Sequence, residues 1–312
     1  MMKRTRFFLL KAIGVIVIAI ALFLAIVFTV NVICNKIEKG KIEPYGQLVP
    51  VDGKNMNVTI QGSGKETVVL LPGYGTAAPG IDFKPLVDEL TPFYKVVVIE
   101  PFGYGLSDVT EKERSTENIV SELHECLQQL NIDRYILMGH SISGIYALDY
   151  VNKYKNEVSA FVGIDSSVPA QGAGDELPTA ALKSLKQSGF YRLLVKLSPD
   201  QIIAPDVDDE TKEQNRMISL KNMMNPNIIS EADYFSSNFK AAENLKFPKE
   251  LPVMFFLVKD NSDVEGWAAL HEEQIKDSLH GKIMMFEGDH YLHHTRSKEI
   301  VENFRSFMRE IK

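Results

Sequence analysis

An uncharged run near the amino terminus constrains this chain more than any other feature of its sequence. Residues 12–30 contain no charged side chain, and only Thr29 among them is polar. A helix of this length would be roughly 28 Å long, which matches the ~30 Å hydrocarbon core of a bilayer. Because a helix satisfies its own backbone hydrogen bonds, such a segment can face lipid on every side. The sequence therefore predicts a transmembrane anchor over residues 12–34, after a basic tail at residues 1–11.

Basic residues flank this run on both sides. They are Lys3, Arg4, Arg6 and Lys11 before it, and Lys36, Lys39 and Lys41 after it. A short basic tail favours a cytoplasmic amino terminus, which predicts a single-pass membrane protein whose remaining domain is extracytoplasmic. A cleaved signal peptide is the alternative, but its apolar core usually spans ~7–15 residues and ends at small residues, unlike this run. Residues 35–45 predict a short linker.

Charge and cysteine content exclude two classes of protein. The 312-residue chain carries a formal charge of −7. Its first 45 residues hold seven basic and two acidic residues, so the remainder holds 27 basic and 39 acidic ones, the opposite of a nucleic-acid-binding surface. Two cysteines, one of them beside the apolar run, provide no disulfide framework. We therefore expect no nucleic-acid partner and a large core without covalent cross-links.

From Gly46 onward, short apolar runs alternate with segments of helical periodicity. The predicted strands are 47–51 and 55–61, which form a hairpin, and then 67–71, 95–100, 135–139, 158–165, 253–259 and 282–286. The predicted helices are 83–90, 116–130, 144–154 and 297–311. Apolar strands that alternate with helices are typical of a mostly parallel sheet covered on both faces. The sequence thus predicts an α/β fold.

One segment interrupts this alternation. Residues 171–245 begin with Gln-Gly-Ala-Gly and then favour three or four helices, without a strong strand signal. We interpret them as a helical cap inserted over the carboxyl edge of the sheet. The α/β core would then consist of residues 46–170 and 246–312.

A serine follows one of the predicted strands on a tight turn. The strand at 135–139 runs into the segment GHSISG at residues 139–144 and then into a helix. A serine on such a turn points outward, and small residues two positions away, here Gly139 and Ser143, relieve the crowding around it. A serine hydroxyl is a weak nucleophile near neutral pH and needs an adjacent base. His290, after the final strand, is the candidate base for Ser141.

Two further histidines share the loop of His290. His293 and His294 compete with it for the role of base, and the three together raise the question of a metal site. No glutamate stands at the spacing of a zinc site, and the sequence lacks His-Glu-x-x-His. We therefore predict no metal and no cofactor.

Four motifs resemble those of the α/β-hydrolase fold superfamily, in the family's order along the chain. They are residues 139–144, similar to its nucleophile elbow, 71–75 and 100–108, similar to the loops after its third and fourth strands, and 288–291, similar to its catalytic histidine loop. The chain departs from the family at Ser143, where glycine is usual, and at Pro72, where histidine is usual. The resemblance implies a serine hydrolase with a helical cap, in which the backbone N–H groups of Tyr74 and Ile142 form the oxyanion hole.

The resemblance also implies an acid after the strand at 253–259. The usual family spacing leads to Asn261, which has no carboxylate. Asp260 beside it is the favoured acid and Asp263 the alternative, while Asp165, after the strand at 158–165, occupies another position that such folds use. A serine nucleophile argues against the dehalogenases and epoxide hydrolases of this fold, which use aspartate there.

These features predict a membrane-tethered serine hydrolase that cleaves a carboxylic ester, as a carboxylesterase or lipase does, through an acyl-enzyme. The expected partners are a small-molecule or lipid-like acyl substrate and the lipid bilayer. Peptidase, thioesterase, lactonase and carbon–carbon bond hydrolase activities use the same triad and stay open. A catalytically silent binding protein on this scaffold is the alternative from another class, motivated by the unsettled acid and by Ser143 and Pro72.

Overall fold

The computed structural model describes residues 2–199, 202 and 205–311, with side chains from Thr5 onward. Met1, Lys312 and positions 200, 201, 203 and 204 of the predicted cap lie outside the described residues. By the contacts between its Cα atoms, the chain divides into two compact units. The anchor unit comprises residues 1–42 and 178–203, and the core unit comprises residues 43–177 and 204–312.

The core unit contains a mostly parallel sheet with eight strands among the described residues. They are β1 (Gln47–Val51), β2 (Lys54–Gln61), β3 (Thr67–Leu71), β4 (Lys95–Glu100), β5 (Tyr135–His140), β6 (Val158–Ile164), β7 (Val253–Val258) and β8 (Gly281–Phe286). Their order across the sheet is β1-β2-β4-β3-β5-β6-β7-β8. The β1–β2 and β2–β4 pairs are antiparallel, and the later pairs are parallel. The predicted α/β architecture is confirmed.

Helices cover both faces of this sheet. In chain order, the described α-helices are α1 (Met2–Lys39), α2 (Pro79–Asp82), α3 (Lys84–Leu90), α4 (Thr116–Gln129), α5 (Ser143–Lys153), α6 (Thr179–Ser188), α7 (Phe190–Leu197), α8 (Asp209–Asn222), α9 (Pro226–Ala242), α10 (Trp267–Ile275), α11 (Leu292–Thr295) and α12 (Ser297–Glu310). On one face, α4 and α5 pack on the sheet through Leu123 and Tyr146. On the other face, α3 and α12 pack on it through Leu86 and Phe304.

The parallel strands determine where a site can form. β5 and β7 are buried along their whole length, because helices cover both faces, and this explains their continuous apolar sequences. β3, β5, β6, β7 and β8 are parallel neighbours, so the loops at their carboxyl ends meet along one edge of the sheet. The loops that carry the predicted site residues all start at this edge.

α1 extends beyond the predicted anchor at both ends. The predicted tail is helical from Met2, and the predicted linker at residues 35–45 is helical as far as Lys39. Neither proline nor glycine occurs from residue 15 to residue 39, and extending a helix that has already formed costs little free energy. Thr5–Lys39 is long and apolar enough to cross a membrane, and its most apolar window is not buried within the described chain.

The predicted cap at residues 171–245 does not behave as one unit. α6 and α7 group with α1 in the anchor unit, whereas α8 and α9 belong to the core unit. The side chain of Asn227, at the start of α9, accepts a hydrogen bond from the N–H of Thr110 and donates one to its carbonyl. These contacts fix α9 on the loop after β4, a tertiary interaction that helical periodicity alone does not report.

Candidate active site

Ser141 lies in a two-residue turn between the end of β5 at His140 and the start of α5 at Ser143. Its φ angle of 54° is in the left-handed region, which non-glycine residues seldom adopt. The carbonyl of Ser141 accepts hydrogen bonds from the N–H groups of Gly144, at 3.0 Å, and Ser167, at 2.8 Å. The turn is therefore held in a strained conformation by its surroundings, as sites that position a reactive side chain often are.

The two departures from the family pattern contact each other. The buried Ser143 hydroxyl donates a hydrogen bond of 2.5 Å to the carbonyl of Pro72. The serine hydroxyl is therefore hydrogen-bonded although it stands where glycine is usual. The bond connects the loop after β3 to the first turn of α5. Glycine is still needed next door, because a Cβ atom on Gly144 would lie 2.2 Å from the carbonyl oxygen of Ser167.

His290 is paired with a buried aspartate. Its Nδ1 donates to Oδ2 of Asp165 at 2.7 Å. The Asp165 side chain is only 1% exposed, whereas that of His290 is 44% exposed and accessible to a substrate. The other carboxylate oxygen of Asp165 accepts hydrogen bonds from Nε1 of Trp267 at 2.9 Å and from the N–H of Val258 at 3.0 Å. These three donors satisfy the buried carboxylate and fix the plane of the His290 ring.

The predicted acids, Asp260 and Asp263, do not contact His290. Both are exposed in the loop after β7, and Asn261 between them accepts the N–H of Asp263 at 2.9 Å as a turn-forming residue. The carboxylate comes instead from the end of β6, which pairs with β7 in parallel, so the two strand ends are neighbours. Asp165 directly follows the apolar strand β6, and this placement in the sequence is what marks it as a candidate acid.

Ser141 and His290 are brought to the same edge through His140. Nε2 of His140 donates to the carbonyl of His290 at 3.0 Å, and the two rings lie 4.6 Å apart between centroids. Among the hydrogen bonds of the described residues there is none between Ser141 Oγ and His290 Nε2. Catalytic contacts of this kind often shorten only when substrate binds.

His140 is a buried residue of the candidate site. Its position next to Ser141 in the sequence does not predict its contact with His290. Burial, together with the nearby His293 and His290, lowers the pKa of His140 well below its usual value, so that the ring is neutral at pH 7. A Cβ atom on Gly73 would lie 2.7 Å from Nδ1 of His140 and 3.0 Å from Cβ of Ser141. Gly73 therefore lets the loop after β3 approach the nucleophile turn closely.

The backbone N–H groups of Tyr74, in the loop after β3, and of Ile142, directly after Ser141, are the predicted donors of the oxyanion hole. Within the part of the chain that the structure describes, neither amide has a hydrogen-bond acceptor. An unpaired amide costs free energy when it is shielded from water, and Ile142 is buried. Unpaired N–H groups of this kind are the donors that bind an oxygen carrying negative charge.

α9 supports the loop that carries Tyr74. The hydroxyl of Tyr74 donates to the carbonyl of Ile228 at 3.1 Å, and its ring packs edge-on against Phe235 at 4.7 Å. One turn along, the buried Glu231 accepts hydrogen bonds from the hydroxyls of Tyr104, at 2.6 Å, and Tyr146, at 2.7 Å. Sequence reasoning missed this cluster because its members are far apart along the chain and match no motif.

One group of ligating side chains lies beside the site. Nε2 of His293 and Nε2 of His294 each approach a different oxygen of Asp82, at 2.7 and 2.8 Å. Ligands about 2.1 Å from a tetrahedral zinc ion lie roughly 3.3 Å from one another, so these shorter distances fit N–H···O hydrogen bonds better than a metal site. Burial lowers the pKa of His293, and Asp82 only partly opposes this. We therefore treat the three residues as a hydrogen-bonded support beneath the His290 loop.

Comparisons relate the chain to known proteins. Residues 66–242 match the family described as alpha/beta hydrolase fold. The uncharacterized protein YbdG of Bacillus subtilis (strain 168) is 29% identical over 297 residues, which cover 88% of this chain and 89% of that protein. A 2-hydroxy-6-oxononadienedioate/2-hydroxy-6-oxononatrienedioate hydrolase of Escherichia coli (strain K12) is 28% identical over 209 residues, 64% of this chain and 69% of that protein. The solved structure of a bromoperoxidase from Bacillus anthracis gives a TM-score of 0.66 at 19% identity, covering 85% of this chain and 100% of that one.

Proposed function

Because the chain belongs to the α/β-hydrolase fold family, we propose that it is a membrane-tethered serine hydrolase that cleaves a carboxylic ester or a related acyl bond. The observation that carries this proposal is the hydrogen bond of 2.7 Å between Nδ1 of His290 and Oδ2 of Asp165. This pair lies beside the strained turn of Ser141. Fold alone would not suffice, because related folds host many chemistries. The pair supplies the oriented base that a serine nucleophile needs.

The first half of the reaction forms an acyl-enzyme. The Ser141 Oγ attacks the carbonyl carbon of the ester while Nε2 of His290 takes the hydroxyl proton. Asp165 holds the other proton on Nδ1, so that Nε2 is the basic nitrogen, and its charge stabilises the imidazolium that forms. The carbonyl oxygen becomes an oxyanion, which the N–H groups of Tyr74 and Ile142 bind.

The second half releases the products. Collapse of the tetrahedral intermediate breaks the bond to the alcohol oxygen, and the alcohol leaves with the proton from His290. A water molecule then gives a proton to His290 and attacks the acyl carbon. The second collapse releases the carboxylic acid and returns the proton to Ser141 Oγ, so that the enzyme is regenerated.

The apolar amino-terminal helix supports a location at the membrane for this reaction. Thr5–Lys39 is long and apolar enough to span a bilayer. Basic residues before the apolar run favour a cytoplasmic amino terminus and an extracytoplasmic catalytic domain. A hydrolase held at the membrane surface meets small esters from solution and acyl lipids from the bilayer.

A second candidate comes from the Escherichia coli relative, which is named as a hydrolase of an oxo-dienedioate. A dicarboxylate substrate would need cationic side chains at the site. Arg114, which lies beside Tyr104 and Glu231, is instead bound through both terminal nitrogens by the buried Glu122, at 2.9 and 2.8 Å. This pairing favours an uncharged ester over a dianion.

The test compares serine variants of the full chain in detergent. We expect Ser141→Ala to lower the turnover of an aryl acetate by a factor on the order of 10⁴ or more, because the nucleophile is lost. Ser262→Ala is the matched control, since Ser262 is exposed in the loop after β7, and it should leave turnover unchanged. Equal turnover in wild type and Ser141→Ala would refute the proposal, and turnover no faster than the uncatalysed reaction in both would favour a silent binding protein.

A further inference from the structure

The hairpin formed by α6 and α7 packs closely on α1 within the anchor unit. Its turn is Gly189, whose φ angle of 90° suits glycine. A Cβ atom on Gly189 would lie 2.7 Å from the carbonyl oxygen of Val27 and 2.8 Å from Cβ of Asn31. The absence of a side chain therefore lets the turn touch the backbone of α1, as small residues do where helices meet in membranes.

The contact lies within the apolar run of α1. The ring of Phe190, the first residue of α7, is 6.1 Å from the ring of Phe23. Phe23 precedes the end of the apolar run at Val30 by seven residues, which is about 10 Å of helix. A residue beside Phe23 would therefore lie well inside the hydrocarbon layer whenever α1 spans a bilayer.

A polar cluster around Arg192 lies where α7 meets the carboxyl end of α1. Both terminal nitrogens of Arg192 donate to the carboxylate of Glu38 at 2.7 Å, and one of them also donates to Asn35 at 2.6 Å. Nε of Arg192 donates to the side chain of Asn31 at 3.1 Å. The guanidinium thus reaches toward the end of α1, where charged residues begin, while the apolar residues of α7 remain beside the apolar run.

The outer surface of the hairpin has the composition of a segment that lies in a membrane interface. Leu194 is 39% exposed and Leu197 is 73% exposed. Besides Arg192, whose charge Glu38 neutralises, residues 178–199 contain three lysines and no acidic residue, in a chain whose formal charge is −7. Basic residues combined with exposed leucines on a short helix are typical of binding to anionic lipid surfaces.

We propose that the α6–α7 hairpin is a second membrane-embedded element, inserted beside α1 into the leaflet at the carboxyl end of the span. Its leucines lie among the acyl chains and its lysines lie among the headgroups of anionic lipids. The inference rests on the proposed membrane tether and adds to it. Since the chain continues from both ends of the hairpin into the core unit, the catalytic domain is attached to the bilayer through three segments instead of one.

The test places an environment-sensitive fluorophore on single cysteines of the full chain, in a Cys34→Ser, Cys126→Ala background. Leu197→Cys reports on the hairpin, Val17→Cys on the span and Lys249→Cys on the exposed surface of the core unit. Each protein is reconstituted into vesicles of phosphatidylcholine and phosphatidylglycerol that contain a spin-labelled quencher lipid. Hydrolysis of an aryl ester by the same samples is recorded separately.

We expect quencher lipid to reduce the fluorescence at positions 17 and 197 severalfold and to leave position 249 unaffected. Quenching at 17 without quenching at 197 would overturn the inference and leave the tether intact. Quenching at neither position would overturn the tether as well. Loss of ester hydrolysis in every sample, with both positions quenched, would count against the proposed reaction but not against the hairpin.

Discussion

At the scale of single residues, the proposed reaction depends most on Asp165. Its buried carboxylate accepts hydrogen bonds from His290, Trp267 and Val258. A charge at this depth is tolerated only with such partners. In the proposed reaction it keeps a proton on Nδ1 of His290, so that Nε2 is free to accept the proton of Ser141.

Replacing this carboxylate should impair turnover without loss of the nucleophile. We expect Asp165→Asn to lower kcat for an aryl ester by a factor of about 10³–10⁴, because an amide stabilises the wrong tautomer of His290. Asp260→Asn is the control, since Asp260 is exposed and does not contact His290. Steady-state kinetics on both variants decides between the two acids. A large loss in Asp260→Asn with none in Asp165→Asn would contradict our assignment.

The buried histidines predict a pH dependence of stability. Burial lowers the pKa of both His140 and His293, so they stay neutral in the fold, whereas in the unfolded chain they bind protons below about pH 6.5. The unfolded state therefore binds more protons, and the free energy of unfolding falls as the pH falls below that value.

We expect His293→Asn to flatten this dependence by up to ~1.4 kcal/mol per pH unit, since one titrating group is removed. Thermal unfolding in detergent, followed by circular dichroism across the imidazole range, measures the slope. His124→Asn is the control, because His124 is partly exposed on α4. Parallel slopes in wild type and His293→Asn would show that His293 does not titrate on unfolding.

Sequence reasoning identifies the local part of the candidate site and not the part made by tertiary contacts. Ser141 and His290 each follow a predicted strand inside a short motif, so both were identifiable. The usual family spacing places the acid after β7 and so favours Asp260 over Asp165. The carboxylate that contacts His290 instead follows β6, the strand next to β7 in the sheet. Glu231 lies 90 positions after Ser141 in a helix without a motif, and only the packing of α9 brings it near.

At the scale of elements, α9 acts as a brace for the loop after β3. Glu231 binds Tyr104 and Tyr146, and the hydroxyl of Tyr104 accepts the N–H of Gly75 at 3.2 Å. Gly75 is the neighbour of Tyr74, whose amide is the proposed oxyanion donor. Burial raises the pKa of Glu231, while the hydrogen bonds from the two tyrosines oppose the rise.

Loss of this brace should cost both stability and catalysis. We expect Glu231→Ala to lower the free energy of unfolding by about 2 kcal/mol or more, because two buried hydroxyls lose their acceptor. Glu231→Gln should cost less, since its amide oxygen still accepts, and should recover part of the lost kcat. Glu243→Ala, at the exposed end of α9, is the control. Denaturant titration and kinetics of the three variants test this; equal stability of Glu231→Ala and wild type would contradict it.

The elements themselves were largely predictable. The central strands β5 and β7 are buried on both faces, and their continuous apolar runs mark them in the sequence. The extent of α1 was underestimated, because composition marks the apolar run and not the helix that continues beyond it. The predicted cap is divided between the anchor unit and the core unit by contacts such as those of Gly189 and Asn227. Helical periodicity in the sequence does not predict such contacts.

At the scale of the whole molecule, charge is distributed unevenly along the chain. The amino-terminal segment is basic and the rest is strongly acidic. In the proposed topology, the basic end lies on the cytoplasmic side of the membrane and the acidic part lies on the other side. The basic hairpin of α6 and α7 is the exception within that acidic part.

This distribution predicts the sidedness of the molecule. We expect a protease added to intact spheroplasts that express the full chain to digest the core unit, while an epitope at the amino terminus survives until the membrane is permeabilised. Immunoblotting for tags at both ends measures this. Protection of the carboxyl-terminal tag in intact spheroplasts would reverse the orientation without affecting the proposed chemistry.

The most direct test of the central claim is covalent labelling of Ser141. The full chain in detergent is treated with a fluorophosphonate and digested, and its peptides are analysed by mass spectrometry. Our account predicts one adduct, on Ser141, and a strong decrease of its rate of formation in Asp165→Asn. An unlabelled Ser141, or an adduct on a different serine, would contradict it.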